Sequence, residues 1–116
     1  MTIHVKINDI IYPASITGRM NDKDWNNRES KSIKLEMTYE EAVKIFIDDI
    51  EWYIVEKDNE NTETYDNSDF SIAGDITDHR DGTITVKMGK PTAEEILNLL
   101  VEELSLWLLW KKLENL

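Results

Sequence analysis

The closing stretch, Pro91 to Leu116, carries more apolar surface than a chain of 116 residues can readily hide. Ile96, Leu97, Leu99, Leu100, Val101, Leu104, Leu106, Trp107, Leu108, Leu109, Trp110 and Leu113 fall among a few Glu, Lys, Asn and Ser residues at helical spacing. Thr92 opens the helix. Its hydroxyl can accept from the Glu95 N–H while the Glu95 carboxylate reaches back, a capping box. Glu94 and Glu95 in the first turn and Lys111 and Lys112 in the last suit the helix dipole. At about 1.5 Å per residue, a helix over residues 92–115 is roughly 35 Å long.

Ile96, Leu97, Leu100, Leu104, Trp107 and Leu108 share one face, enough to cover a sheet. Leu99, Leu106, Leu109 and Leu113 fall largely on the other side, around Glu102, where a surface helix normally stays polar. A helix apolar nearly all round is buried on both sides, which implies a second partner: self-association or docking on another protein. Leu99, Leu106, Leu109, Trp110 and Leu113 are the expected anchors, and the competing reading wraps the helix wholly within its own domain. Membrane insertion does not fit. Asn98, Glu102, Glu103 and Ser105 interrupt a run that needs about 20 apolar residues to span, and an in-plane helix wants Lys and Arg where this one has Glu.

The length predicts one domain, residues 1–90 forming a sheet with a short helix and 91–116 the closing helix. Thirteen basic against 24 acidic residues give a net charge of −11. That excludes a general nucleic-acid binder, which needs a basic footprint, and suits a chain that presents carboxylates to a basic surface. There is no cysteine, hence no disulfide or thiol chemistry. With no apolar leader at Met1–Ile7, the expected place of synthesis is the cytoplasm.

Ile3, Val5 and Ile7 alternate with polar residues as a half-buried strand. Asn8-Asp9 turns, and Ile10, Tyr12, Ala14 and Ile16 alternate again, with Pro13 marking an edge or irregular strand. Gly18–Lys31 reads as a polar loop pinned to the core by Trp25, with a partner hot spot as the alternative for that residue. Ile33, Leu35 and Met37 mark a third strand. Thr38 caps a helix over 38–47 through Glu41, with Tyr39, Ala42, Val43, Phe46 and Ile47 facing in. Trp52–Val55 is apolar on both faces, as in a central or doubly covered strand. Glu56–Asp69, with six acidic residues and one lysine, reads as a mobile loop or long hairpin tip. Phe70, Ile72, Gly74 and Ile76 alternate inward, Asp78–Gly82 turns, and Ile84, Val86 and Met88 alternate back. Asp-Gly between two such runs is strong hairpin chemistry.

No catalytic or metal motif stands out. Asp75, Asp78, His79 and Asp81 could offer a cation oxygen and imidazole ligands, but match no EF-hand, and a turn explains them without a metal. Asp22, Asp24, Arg28 and Glu29 read as a solvated loop with local ion pairs. Neither His4 nor His79 sits near a nucleophile motif, and there is no Gly-rich phosphate loop. We therefore expect no enzyme and no cofactor.

Three stretches carry a resemblance. They are Gly18-Arg19…Asp24-Trp25…Arg28-Glu29-Ser30-Lys31; Met37-Thr38-Tyr39-x-Glu41-Ala42…Phe46…Glu51-Trp52; and Tyr65–Ser68 with Asp75–Thr83. Together they resemble small uncharacterised proteins from prophages of Gram-positive gut bacteria, similar in layout to β-rich proteins of the tail region. The resemblance spans residues 3 to 95. It implies no catalytic residues and leaves the apolar end of the closing helix open.

The expected fold is α+β: one antiparallel sheet of about six hairpin-built strands, with the 38–47 and 92–115 helices packed on it. The expected core is Ile3, Val5, Ile7, Tyr12, Ile33, Leu35, Phe46, Trp52, Ile54, Phe70, Ile72, Ile84, Val86, Ile96, Leu100 and Leu104. The expected role is phage structure or assembly through the closing helix, the partner being the chain itself or another phage protein. The alternative is an acidic inhibitor that imitates DNA and blocks a host defence nuclease, using Asp58, Glu60, Glu63 and Asp66.

Overall fold

The computed structural model describes residues 1–114. The fold is α+β. Seven strands form one antiparallel sheet in the order β5-β4-β1-β2-β3-β7-β6. They are β1 (Thr2–Ile7), β2 (Ile10–Asp22), β3 (Arg28–Glu36), β4 (Trp52–Asp58), β5 (Asn61–Asp66), β6 (Ile72–Asp78) and β7 (Thr83–Gly89), with helices α1 (Tyr39–Ile45) and α2 (Ala93–Glu114). Asn115, where the expected closing helix ends, lies outside the described residues.

Local chemistry sets the hairpins. Asn8 and Asp9 both take positive φ, 53° and 64°, between Ile7 and Ile10. Two left-handed residues in a two-residue loop give the twist that matches flanking strands, and Asn and Asp tolerate that region best after Gly. Gly82 takes φ 89° in the β6–β7 turn. β2 serves two neighbours in succession: Ile10–Pro13 pair with β1, and Ala14–Asp22 with β3. Pro13, with no N–H to donate, stands at the handover.

The sheet curls, since residues far apart in strand order share one core: Val5 and Ile7, Trp52, Ile33 and Leu35, Ile84, Val86 and Met88, and Phe70 just before β6. Trp52 is fully buried, donates its indole N–H to the Phe70 carbonyl at 3.1 Å and meets that ring edge-on at 6.3 Å. α1 closes the core with Ala42 and Phe46, and Thr38 Oγ1 accepts from the Glu41 N–H at 3.1 Å. β4 is an interior strand whose Val55 is also buried, as its apolar pattern predicts.

Several expectations need correction. Gly18–Lys31 is mostly strand: β2 runs to Asp22, a 3₁₀ turn covers Lys23–Trp25, and β3 starts at Arg28. Tyr39, Val43 and Ile47 are exposed, because the helix ends at Ile45 and its two turns bring only Ala42, Ile45 and the capping Phe46 to the core. The seventh strand is β5, whose polar residues gave no alternating signal. In β6 the register shifts between Ala73 and Ile76, so Ala73 and Ile76 reach the core, while Ile72, paired with Gly89, turns to the other face. Ile3 is half-buried outside the main cluster.

The largest correction concerns α2. It does not pack on the sheet, and none of its residues is buried. Ile96, Leu100 and Leu104, expected in the core, are 47, 57 and 56% exposed. The chain measures 65 × 33 × 27 Å with a radius of gyration of 18.2 Å, against about 13 Å for a compact domain of this length. The core closes without the helix, which therefore projects from it.

Candidate interaction helix and its anchor

β2, β3 and the turn between them hold the base of α2. Asn26 and Asn27, both left-handed at φ 59° and 58°, reverse the chain and bring Trp25 and Arg28 over the outer face of β6 and β7. Trp25 lies on the two glycines beneath it. A Cβ on Gly74 or Gly89 would fall 2.7 Å from its ring. Trp25 thus pins this turn to the sheet, as the sequence suggests. The Arg28 guanidinium stacks on Trp25, 4.7 Å from the ring centroid.

Arg28 is buried and every arm of it is used. Nε donates to the Trp25 carbonyl at 3.2 Å and Nη1 to the Lys90 carbonyl at 3.1 Å. Nη1 and Nη2 hold the two oxygens of Glu95 at 2.7 and 3.0 Å, a bidentate pair. The Thr92 N–H donates to Glu95 Oε1 at 2.8 Å and Thr92 Oγ1 accepts from the Glu95 N–H at 3.2 Å. The capping box read from the sequence is present, and its carboxylate also serves as the docking point. Hydrogen bonds from Arg28 and then Thr92 pull the Glu95 carboxyl down from 4.5 to about 2.

Beside it, Asp22 is fully buried. It accepts from Ser30 Oγ and from Lys87 Nζ, both at 2.9 Å, and from the Asp24 N–H at 3.2 Å. The Lys87 bond is the main cause of its lowered pKa, against the opposing effect of burial. A second polar cluster surrounds Phe70. The Lys31 and Lys90 ammonium groups lie 4.6 and 4.9 Å from its ring centre. Lys90 pairs with Glu29 at 3.0 Å and Asp69 at 3.2 Å, which raises its pKa, and Lys31 donates to Asn67 Oδ1. Burial pushes the Lys31 ammonium pKa down. These groups satisfy one another and tie β3 and β7 to the segment after β5.

Beyond Glu95 the helix stands free. Leu99, Leu106, Leu109, Trp110 and Leu113 are exposed, and so are Val101 and the face expected against the sheet, Ile96, Leu97, Leu100, Leu104, Trp107 and Leu108. At 100° per residue two apolar stripes result. One runs through Ile96, Trp107, Leu100, Leu104, Leu97, Leu108 and Val101, and the other through Leu113, Leu106, Leu99 and Trp110. Glu94, Asn98, Glu102, Ser105 and Lys112 form the narrow polar strip that remains, with Leu109 between Asn98 and Glu102. Such a contiguous apolar surface exceeds what a monomer normally leaves to water.

The alternative acidic residues do not form one surface. Asp58 and Glu60 lie at the β4–β5 turn, Glu63 shares a face with Glu56 directly opposite it, and Asp66 points to the other face. Asp66 is occupied by the Ser68 N–H at 2.9 Å, and Tyr65 donates its hydroxyl to Glu63. Asp78 and Asp81 accept from their own turn, from the Arg80 and Thr83 N–H groups at 2.9 Å, and His79 pairs with Thr85 at 2.7 Å. Among the described residues, no three His, Cys, Asp or Glu side chains gather to hold a metal ion. Among the same residues no helix is long and apolar enough to cross a membrane.

Nothing in the sequence linked Arg28 to Glu95, because the pair joins a turn to a helix 67 residues later. Asp22, Asp24, Arg28 and Glu29 read locally as a solvated loop with ion pairs, but Asp22 and Arg28 are buried and bonded to Ser30, Lys87 and Glu95. Compared with known families, proteins and folds, the chain matches no family model, no curated protein and no solved structure.

Proposed function

We propose that this chain is a phage-derived structural or assembly protein that works by protein–protein contact through α2. One observation carries this reading. A helix of 22 residues is fixed at its first turn by Arg28 and then offers twelve large apolar side chains to solvent, each 47 to 67% exposed. Burying one such side chain contributes roughly 1.5–3 kcal/mol before association costs, so a partner is a far better environment than water. Leu99, Leu106, Trp110 and Leu113 form the anchoring stripe, with the fifth anchor Leu109 beside it across Glu102, supported by the broader Ile96–Leu108 stripe. The phage assignment is supported by the resemblance of residues 3 to 95, and no catalytic role is assigned. The partner is a protein, with neither nucleic acid nor membrane required. Replacing Leu106, Leu109 and Leu113 by Gln tests the reading: partner binding is lost while the sheet still folds.

A second reading, an acidic inhibitor of a defence nuclease, is favoured by one observation. Glu56 and Glu63 stand directly opposite each other on the β4–β5 hairpin, a like-charge pairing that costs stability and that a basic groove would relieve. Neutralising Asp58, Glu60, Glu63 and Asp66 then abolishes inhibition and removes its salt dependence.

A further inference from the structure

The inference here rests on the reading of α2 as a contact helix and names its partner. We propose that the partner is this chain itself, and that four copies of α2 form an antiparallel four-helix bundle.

Charge gives the orientation. Within α2, Glu94 and Glu95 lie at the start, Glu102 and Glu103 at the middle, and Lys111, Lys112 and Glu114 at the end. Five glutamates and two lysines put −3 of the chain's −11 on the helix and leave −8 on the sheet body. A parallel pair sets the Glu94 ends side by side, and an all-parallel bundle crowds four bodies of −8 at one end. An antiparallel pair sets Glu94 beside the partner's Lys111 and opposes the two dipoles. It also places the bodies of neighbouring helices at opposite ends of a rod about 33 Å long, several times the Debye length of about 8 Å at physiological salt, and leaves two bodies rather than four at each end of the bundle.

Area gives the number. One helix–helix seam of that length and about 10 Å wide covers roughly 330 Å² on each partner, well below the ~600–1,000 Å² per partner of a stable interface. Two seams cover roughly 660 Å², inside that range, and α2 has two apolar stripes to supply them. When each helix has two antiparallel neighbours, directions alternate around the ring, so the number of helices is even. Four is the smallest closed set.

With Glu94 beside the partner's Lys111, Leu97 falls beside the partner's Leu108. The natural chain has no cysteine, so Leu97→Cys and Leu108→Cys can be introduced singly into the full-length protein. Light scattering of the unmodified chain gives four times 13.6 kDa. Under oxidation, mixed Leu97→Cys and Leu108→Cys chains cross-link, and neither variant cross-links alone. Same-position residues lie on diagonal helices, farther apart than the 8–10 Å between neighbouring axes and beyond disulfide reach.

Cross-linking of one variant with itself, or any other mass, two copies included, overturns the bundle. A monomer that binds the apolar-surface dye ANS, and loses that binding when Leu106, Leu109 and Leu113 become Gln, overturns self-pairing but leaves α2 as a docking surface for another protein. A monomer that binds no dye overturns both.

Discussion

Arg28 grips both carboxylate oxygens of Glu95, at 2.7 and 3.0 Å, and this pair is the hinge post from which α2 leaves the sheet. The guanidinium is buried beneath Trp25, while 41% of the Glu95 side chain remains exposed. The geometry fixes the direction of the helix without burying any of its length.

Breaking that pair loosens the helix and strains the turn that holds it. Arg28→Ala removes hydrogen bonds to Glu95, Lys90 and Trp25 together, and bonds to charged groups contribute about 1.5–3 kcal/mol each. We expect Arg28→Ala to lower stability by about 2–4 kcal/mol in chemical denaturation. Arg28→Lys should recover only part of it, since an ammonium cannot hold both oxygens. Amide exchange at Thr92–Ile96 should quicken in both variants.

The anchor also has a defined acid limit. Glu95 titrates at about 2 in the folded chain against an ordinary 4.5. A carboxyl lowered on folding stabilises the fold fully above its unfolded pKa, and the contribution fades as pH falls through the folded one. The anchor should therefore be complete at neutral pH, weaken below about 4.5 and vanish near 2. In Glu95→Gln, stability should depend less on pH over that window, which acid titration of the two proteins measures directly.

Gly89 and Gly74 exist to seat Trp25. Adding a Cβ at Gly89 puts a carbon 2.7 Å from the Trp25 ring and 2.7 Å from Arg28 Cδ, in a position already buried. Gly89→Ala should cost about 1–3 kcal/mol, as overpacking does. The double variant Gly89→Ala/Trp25→Leu should cost less than the sum of the singles, a coupling that a mutant cycle reads.

Trp52 anchors the core proper. It is fully buried and bonded to the Phe70 carbonyl, so Trp52→Ala should cost about 3–5 kcal/mol. Substitutions on α2 have no such lever. Leu99→Gln or Leu106→Gln should shift the stability of the monomeric sheet by no more than about 0.5 kcal/mol while weakening association.

How much of this the sequence revealed depended on how local the cause was. The Asn8-Asp9 and Asp81-Gly82 turns, the Thr38 and Thr92 caps and the alternation of Val5 with Ile7 or Ile84 with Val86 were all readable, because each signal lies within a few residues. The strand β5 was not, since Asn61–Asp66 is an edge strand exposed on both faces and has no alternation to read. The register shift between Ala73 and Ile76 reversed Ile72 because one extra residue flips every side chain before it. Ile96, Leu100 and Leu104 were placed in the core because an apolar face announces that it needs cover. It does not announce whether its own sheet or another molecule provides it. The five proposed anchors, Leu99 to Leu113, stand exposed on α2, and Arg28, the residue that makes this possible, was hidden by its distance from Glu95.

The most direct test of α2 as an external contact compares the whole chain with one ending at Val101, by light scattering and amide exchange of the sheet. The shorter chain keeps Arg28, Thr92 and Glu95. We expect it to be a monomer whose β1–β7 amides stay as protected as in the whole chain, which itself runs as an assembly. Loss of protection across the sheet on truncation would contradict the account, because it would mean that α2 completes the core.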